Sequence, residues 1–176
     1  MNKKELWEKA AAFHGHVCPG LTIGYRASLY AIDLLALTFS EDEQVVCVAE
    51  NDACGVDAIQ AILGCSIGKG NLLFHMTGKQ AFSFYNRKTG KSVRLVLNRP
   101  VSEMTREEAF EYYHTCKQED LFTVKETTII IPERARLFDS YVCACCGETA
   151  GANWIRISGG KKLCVDCYSH YDRFHM

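Results

Sequence analysis

Four cysteines in the C-terminal part of the chain have the spacing of a metal site. Cys143 and Cys146 form one C-x2-C pair, and Cys164 and Cys167 form a second pair after 17 intervening residues. A two-residue spacer lets both sulfurs of a pair reach one ion, and two such pairs are typical of structural zinc. The sequence therefore predicts a zinc site made of four thiolates, with Cys145 as a bystander thiol. Two disulfides are the alternative.

A second group of metal-binding residue types lies near the N-terminus. His14, His16 and Cys18 fall within five residues, and Cys54 lies at a later strand-to-helix turn. Residues two apart in extended backbone point the same way, so His16 and Cys18 can face one ion. A helix N-terminus is expected to favour the thiolate of Cys54. One imidazole and two thiolates predict a site for zinc or another transition metal with a free fourth position.

A simpler interpretation of the N-terminal residues stays open at this point. His14 would cap a helix or hydrogen-bond to backbone, and Cys18 and Cys54 would be small buried apolar residues. If the site is real, Asp52 and Asp57 are the nearby carboxylates that could support it. The other histidines and cysteines that we considered are expected to be structural, and they are His75, His114, Cys47 and Cys116.

The overall composition narrows the class of protein. The chain has 176 residues with 48% apolar residues, which is ordinary for a folded protein with a sizeable core. The formal net charge is −1, and the tail from Asp139 has four basic and four acidic residues. Strong binding to nucleic acid or to an anionic membrane needs accumulated Lys and Arg, so both are disfavoured.

The N-terminal segment and the apolar runs predict a cytoplasmic protein. Residues 1–12 contain charged residues where a secretory signal needs an apolar stretch. The most apolar run, residues 27–37, is interrupted by Asp33 and is too short to cross a membrane. In a reducing compartment, paired cysteines are more often metal ligands or catalytic groups than disulfides.

Hydrophobic periodicity and turn residues predict an α+β fold that positions these groups. The predicted helices cover residues 2–12, 21–38, 54–63 and 105–116. The predicted strands cover residues 44–49, 72–76, 81–85, 93–97 and 122–131, and the middle three are expected to form an antiparallel meander. The glycine-rich run at 64–70 has a spacer too short for a phosphate-binding P-loop, so it predicts a tight turn.

A domain boundary is predicted near Phe138. The expected domains are residues 1–138, an α+β core, and residues 139–176, which are too few to build a core without a metal. The first cysteine pair, a hairpin over 153–157 and 161–163, and a helix starting at Cys167 together resemble a treble-clef zinc finger.

Four motifs resemble the FmdE family, which is named after formylmethanofuran dehydrogenase. They lie in residues 13–21 (FHGHVCPGL), 51–60 (NDACGVDAIQ), 64–72 (GCSIGKGNL) and 132–136 (PERAR). The resemblance implies a thioredoxin-like core, sometimes followed by a treble clef, and an active site that can hold zinc at His16, Cys18 and Cys54. It places His14 in the same motif without assigning it a ligand role. It also implies association with a molybdenum or tungsten enzyme whose catalytic parts are other polypeptides.

The leading hypothesis is a metal-binding accessory protein, or a metal-dependent enzyme, linked to formylmethanofuran dehydrogenase and one-carbon redox metabolism. One alternative is a thiol-redox or sensor protein in which Cys18 and Cys54 form a reversible disulfide. Another is a nucleic-acid-binding regulator that uses the zinc finger. Exposed strand edges and the small appended domain favour a homodimer.

Overall fold

The structure is a computed structural model that describes residues 2–98, 103–171 and 173. The described chain divides into two compact units, Met1–Arg134 and Ala135–Met176. The helices of the first unit are α1 (Lys3–His14), α2 (Pro19–Leu35), α3 (Gly55–Leu63), α4 (Arg106–Thr115) and α5 (Gln118–Leu121). Its strands are β1 (Val45–Ala49), β2 (Leu72–Phe74), β3 (Ala81–Asn86), β4 (Ser92–Leu97) and β5 (Phe122–Lys125).

Local sequence signals explain where the helices begin and end. The Asn2 side chain accepts a hydrogen bond from the Lys4 backbone N–H at the start of α1. Thr105 and Glu108 form a capping box at the start of α4. Helix α2 is shorter than predicted because Ala36 takes a left-handed conformation with φ of 50° and stops it after Leu35.

The first unit contains a five-stranded mixed sheet, which confirms the α+β class. The strand order is β2-β1-β3-β4-β5, with β1 and β2 parallel and the other neighbouring pairs antiparallel. The predicted meander is therefore wrong in one respect, because β2 pairs with β1 (Cys47 with Leu72) rather than with β3. Helix α3 connects β1 to β2, and such a crossover brings the second strand back parallel to the first.

The two faces of the sheet are covered differently. Cys47, Phe82, Phe84 and Leu95 belong to the main core, which also contains most of the buried side chains of α2 and α3. On the opposite face, Val46, Val48 and Tyr85 form a small cluster against Leu73, Ile129 and Ile131. The predicted strand over 122–131 is thus too long, since the ladder ends at Lys125 and the residues after it cover this second face.

The second unit consists of short hairpins. Its strands are β6 (Ser140–Val142), β7 (Thr149–Gly151), β8 (Ile155–Ser158) and β9 (Lys161–Cys164), with a 3-10 turn at Ala152–Trp154. Strands β6 and β7 pair with each other, and β8 and β9 form the predicted hairpin through Gly159 and Gly160, both of which have positive φ. The predicted helix from Cys167 is not formed by residues 167–171, which are turn and irregular structure, and residues 172 and 174–176 lie outside the described residues.

Among the helices of the described residues, none combines the length and the apolar character that crossing a lipid bilayer requires.

Candidate metal centres

Three glycines bring the N-terminal ends of α2 and α3 together. A methyl group built on Gly24 would lie 1.9 Å from the backbone oxygen of Gly55, and one built on Gly20 would lie 3.2 Å from Cβ of Cys54. The two backbones can approach this closely only because these positions lack side chains. The glycine contact therefore places the cysteines at the two helix N-termini, Cys18 and Cys54, beside each other.

The two cysteines occupy equivalent positions at their helices. Cys18 is the N-cap of α2, and its Sγ accepts a hydrogen bond from the Leu21 backbone N–H at 3.3 Å. Cys54 is the N-cap of α3 but makes no side-chain capping bond. The methyl group built on Gly20 would lie 3.6 Å from Sγ of Cys54 and 3.9 Å from Sγ of Cys18, so the two sulfurs flank this glycine.

The expected preference of Cys54 for the thiolate is wrong for the protein without a metal ion. Burial raises the pKa of Cys54 above its ordinary value, and the hydrogen bond and charge of Cys18 raise it further. The backbone at the start of α3 lowers the pKa but does not compensate. Desolvation and a second sulfur nearby outweigh the favourable helix terminus.

Both histidines of the loop join this cluster. The possible ligand atoms of His14, His16 and Cys18 all lie within 4.8 Å of one another. His14 Nε2 is 3.8 Å from Cys18 Sγ, and the two imidazole rings have centroids 4.4 Å apart. The structure thus brings the predicted residues His16 and Cys18 together and adds His14 to them. Cys54 is not in this group of ligand atoms, although it lies beside Cys18 across Gly20.

The orientation of His14 is fixed by Asp57. His14 Nδ1 lies 2.7 Å from Oδ2 of Asp57, and Gln60 donates to the other oxygen of this carboxylate. An ionised carboxylate only accepts, so the proton on Nδ1 points to Asp57, and Nε2 is the nitrogen that faces Cys18. This is the carboxylate–histidine arrangement common behind metal ligands. The simpler interpretation of His14 as a backbone-bonded cap is therefore not what the structure shows.

The four C-terminal cysteines also converge. Ligand atoms of Cys143, Cys146, Cys164 and Cys167 lie within 4.8 Å of one another, and the sulfurs of Cys146 and Cys164 are 3.9 Å apart. Two sulfurs on one tetrahedral zinc ion, each at about 2.3 Å from it, are separated by about 3.8 Å. The donor set and its spacing therefore fit a zinc ion.

Backbone amides support thiolate character in this cluster. The N–H groups of Cys164 and Cys145 donate to Sγ of Cys143 at 3.3 Å and 3.4 Å. Hydrogen bonds from the backbone of Cys164, Cys146 and Cys145 lower the pKa of Cys143 to about 6. Hydrogen bonds with the thiols of Cys164 and Cys146 raise the pKa of Cys167 far above its ordinary value. Without an ion, the sulfurs share protons instead of ionising together.

The residues expected to be structural have surroundings that fit this role. Cys47 is fully buried. The ring of His114 stacks on the rings of Tyr25 and Phe110 and meets the ring of Trp7 edge-on. Cys116 packs against the main core at the end of α4, and Cys145 is exposed. His75 lies just after β2 rather than within it.

The glycine-rich run at 64–70 forms the predicted tight turn. Gly70 N–H donates to the Ile67 carbonyl, and the buried Asn71 side chain accepts from the Ser66 N–H. The Nδ2 group of Asn71 donates to backbone oxygens that include Val45 O at 2.9 Å and Asp42 O at 3.0 Å. These bonds hold the loop against the start of β1 and do not form a phosphate cradle.

Comparison with known proteins assigns the family. The FmdE family, described as "FmdE, Molybdenum formylmethanofuran dehydrogenase operon", matches residues 13–142, which is most of the chain. The chain belongs to the FmdE family. The FmdE match includes His14, His16, Cys18 and Cys54, and it reaches into the start of the C-terminal unit.

A solved structure and a curated protein resemble this FmdE chain. The solved structure is a tungsten formylmethanofuran dehydrogenase FmdE-like protein from Syntrophus aciditrophicus, with 25% identity, a TM-score of 0.64, and coverage of 95% of this chain and 92% of that one. The curated protein is a "Probable S-adenosyl-L-methionine-binding protein" from Archaeoglobus fulgidus, 28% identical over 93% of this chain. This chain spans about half, 52%, of the length of that relative.

Two features of the N-terminal site are not evident in the sequence-based prediction. Asp57 is predicted from the sequence as a supporting carboxylate, but its contact with His14, which is 43 residues away, is not. The sequence feature that points to the contact between α2 and α3 is the Gly20-x3-Gly24 spacing, a small-residue pattern that permits close packing of helices.

Proposed function

We propose that this FmdE-family chain is a metal-binding accessory protein linked to formylmethanofuran dehydrogenase and one-carbon redox metabolism. It would hold one ion in the N-terminal site and one zinc ion in the C-terminal cysteine cluster. The observation that carries the proposal is the convergence of Cys18 with two imidazoles, one of them oriented by Asp57. A buried thiol pair needs no such nitrogen donors, so this arrangement favours a metal over a redox disulfide.

The N-terminal ion would be zinc or another transition metal bound by His16, Cys18 and Cys54, with His14 as a further donor through Nε2. Imidazole and thiolate ligands suit zinc and softer divalent metals. A bound zinc ion supplies Lewis-acid chemistry wherever one of its positions is free. A cavity of about 360 Å³ that is lined by His14, Cys54, Asp52 and Asp57 gives small molecules access to this neighbourhood.

The C-terminal unit would be a treble-clef finger whose zinc is structural. The cysteine turn at 143–147 and the β8–β9 hairpin support this proposal, and the non-helical residues 167–171 do not. For the first unit we propose a thioredoxin-like core. Its support is a mixed sheet with the parallel pair β1–β2 joined through α3 and antiparallel strands on the other side.

Metal analysis of the purified protein, expressed without added zinc, tests the two sites. The expected result is two equivalents of metal per chain. Cys18→Ser/Cys54→Ser should remove one equivalent, and Cys146→Ser/Cys167→Ser should remove the other. Cys145→Ser is the matched control because its thiol is exposed and lies outside both proposed ligand sets. Two equivalents in the Cys18→Ser/Cys54→Ser protein would reject the N-terminal site.

Cobalt substitution tests the ligand types. The sulfur-to-cobalt charge-transfer absorption grows with the number of bound thiolates. The Cys146→Ser/Cys167→Ser protein should therefore show about half of the absorption per ion of the Cys18→Ser/Cys54→Ser protein, because two thiolates are proposed at one site and four at the other. Equal absorption per ion would contradict the proposed N-terminal ligands.

Association tests the accessory role. We propose that the protein binds subunits of a molybdenum or tungsten formylmethanofuran dehydrogenase, which the operon description of the family supports. Mixing the purified chain with the purified enzyme and separating by size should show a complex. Light scattering on the same column measures the mass of the chain in the absence of the enzyme. We propose that the chain alone is a homodimer. An enzyme that elutes unchanged at micromolar concentrations of both partners would reject the association.

A further inference from the structure

A second cavity lies on the first unit, away from the residues of the N-terminal metal site. It has a volume of about 450 Å³ and is formed by the end of β3, the turn that follows it, and the segment that crosses the second face of the sheet. Its lining includes Tyr85, Arg87, Lys91, Ile131 and Arg134. The volume is within the range of small-molecule binding sites.

The charged groups that line this cavity are all cationic. Arg87, Lys91 and Arg134 contribute side chains to it, and no carboxylate is among the described residues that line it. The carboxylate that faces Arg87 is Glu43, with its Oε2 3.8 Å from Nη2 of the guanidinium. Glu43 forms an ion pair with Arg87, so the three cations and this one carboxylate leave a net charge of about +2, which favours an anionic ligand.

Arg87 is held at the cavity by two contacts. Its Nη2 donates to the Pro132 carbonyl at 2.9 Å, and the same nitrogen forms the ion pair with Glu43. The guanidinium is therefore fixed among the residues that line the cavity.

Two of the lining residues, Tyr85 and Ile131, are apolar and held in place by other parts of the unit. The Tyr85 hydroxyl donates to the Ile129 carbonyl at 2.7 Å, so the ring cannot swing into the cavity. Ile131 packs against the cluster of Val46, Val48 and Tyr85. The cavity therefore offers both cationic groups and a fixed aromatic and aliphatic surface.

We propose that this cavity binds a small organic phosphate, with the phosphate on Arg87, Lys91 and Arg134 and the apolar part of the ligand against Tyr85 and Ile131. A phosphomonoester carries a charge of about −2 near neutral pH, which matches the net charge of the cavity, and guanidinium groups bind its oxygens in a fork. Inorganic phosphate alone would leave most of the volume unfilled. This proposal does not depend on either metal centre.

Calorimetric titration at low ionic strength tests the proposal with AMP, inorganic phosphate, adenosine and citrate as probes. AMP should bind most tightly, inorganic phosphate more weakly, and adenosine without measurable heat. Lys91→Glu and Arg134→Glu should each weaken AMP binding about tenfold or more, because each replaces an attractive charge with a repulsive one. Arg87→Lys keeps the charge but removes the planar fork of donors, and it should also weaken binding.

Matched controls separate this site from general charge effects and from the metal site. Lys4→Glu makes the same charge change at an exposed position of α1 that does not line the cavity, and it should leave AMP affinity unchanged. Cys18→Ser/Cys54→Ser should bind AMP like the native chain. Equal binding of AMP and adenosine, tighter binding of citrate, or full affinity in Lys91→Glu would overturn the proposal. Loss of AMP binding in the cysteine variant would also overturn it, by placing the ligand at the metal site.

Discussion

The contact between His14 and Asp57 is the residue-scale feature on which the N-terminal site depends. The carboxylate holds Nδ1 at 2.7 Å and directs Nε2 towards Cys18. The His14 side chain is 11% exposed, so little water competes with this hydrogen bond. A residue that contacts no metal can therefore set the affinity of the site by fixing the tautomer and the angle of a ligand.

Asp57→Asn should weaken metal binding at the N-terminal site by about tenfold to a hundredfold, because the amide neither fixes the His14 tautomer nor raises its basicity. Competition with a chromophoric chelator measures the affinity. Asp52→Asn is the control, since it removes the same charge at the edge of the same cavity. If the two variants lose affinity equally, charge alone and not orientation explains the effect.

A buried ion pair gives a second residue-scale prediction. Glu50 accepts two hydrogen bonds from Arg94, at 2.6 Å and 2.9 Å, and a third from Thr77. The hydrogen bond with Arg94 is the main reason that the pKa of Glu50 lies below its ordinary value. A carboxyl with a lowered folded-state pKa stabilises the fold above its unfolded pKa, and this contribution is lost as the pH falls through the folded pKa.

Glu50→Gln should therefore cost about 3 kcal/mol of unfolding free energy at neutral pH, because it leaves Arg94 without a countercharge. Below about pH 4 the native protein loses the same contribution, so the difference between the two proteins should shrink. Urea unfolding at a series of pH values measures this difference. A gap that stays constant down to pH 3 would show that ionisation of Glu50 is not its source.

At the scale of elements, the crossing of α2 and α3 determines whether the two N-terminal cysteines meet. Gly24 and Gly55 touch through their backbones, and Gly20 lies against Cys54. Helix α2 is buried along most of its length, so it cannot shift to make room for a side chain without disturbing the main core. The packing of two elements thus controls the geometry of the proposed N-terminal metal site.

Gly24→Ala should destabilise the protein by about 1–3 kcal/mol or more, since its methyl group would overlap the Gly55 backbone oxygen. It should also weaken metal binding at the N-terminal site and leave the C-terminal site loaded. Denaturant unfolding and metal analysis measure the two effects. Gly68→Ala is the control, because a methyl group there meets nothing within 4 Å and the glycine does not have a positive φ. Equal stability of the two variants would refute the close helix contact.

At the scale of the whole molecule, the two units differ in what holds them together. The first unit has an extended apolar core on the helix side of its sheet. Among the described residues from 135 onward, Cys143 is the one that is buried. A unit with so little buried apolar surface cannot offset its conformational entropy without cross-links, so its folding should depend on the metal.

Removal of the metal by a strong chelator under reducing conditions should unfold residues 135–171 and leave the first unit folded. Amide hydrogen exchange, read by region, measures this. Protection in β8 and β9 should be lost, while β1 and β3 should keep theirs. The Cys146→Ser/Cys167→Ser protein should show the same pattern without chelator. Retained protection in β8 and β9 after the metal is gone would mean that the hairpins are stable without an ion.

Much of the local structure of this protein is determined by the sequence alone. Several features depend only on residues within a few positions of each other. They are the helix starts at Asn2 and Thr105, the tight turn at 64–70 and the β8–β9 hairpin. The cysteine cluster is predictable for the same reason, because each C-x2-C pair is itself a local feature and fixes half of the ligands.

Structural features that depend on residues far apart in the chain are determined only by the tertiary structure. Four features join segments that are separate in the chain. They are the pairing of β2 with β1, the hydrogen bond between His14 and Asp57, the contact of Gly24 with Gly55, and the grouping of Arg87 with Arg134. The sequence pattern carries little information about such pairs, because burial of apolar surface is non-directional and allows several arrangements of the same elements. Close packing of backbone and side chains selects one of these arrangements, and with it the geometry of the N-terminal site.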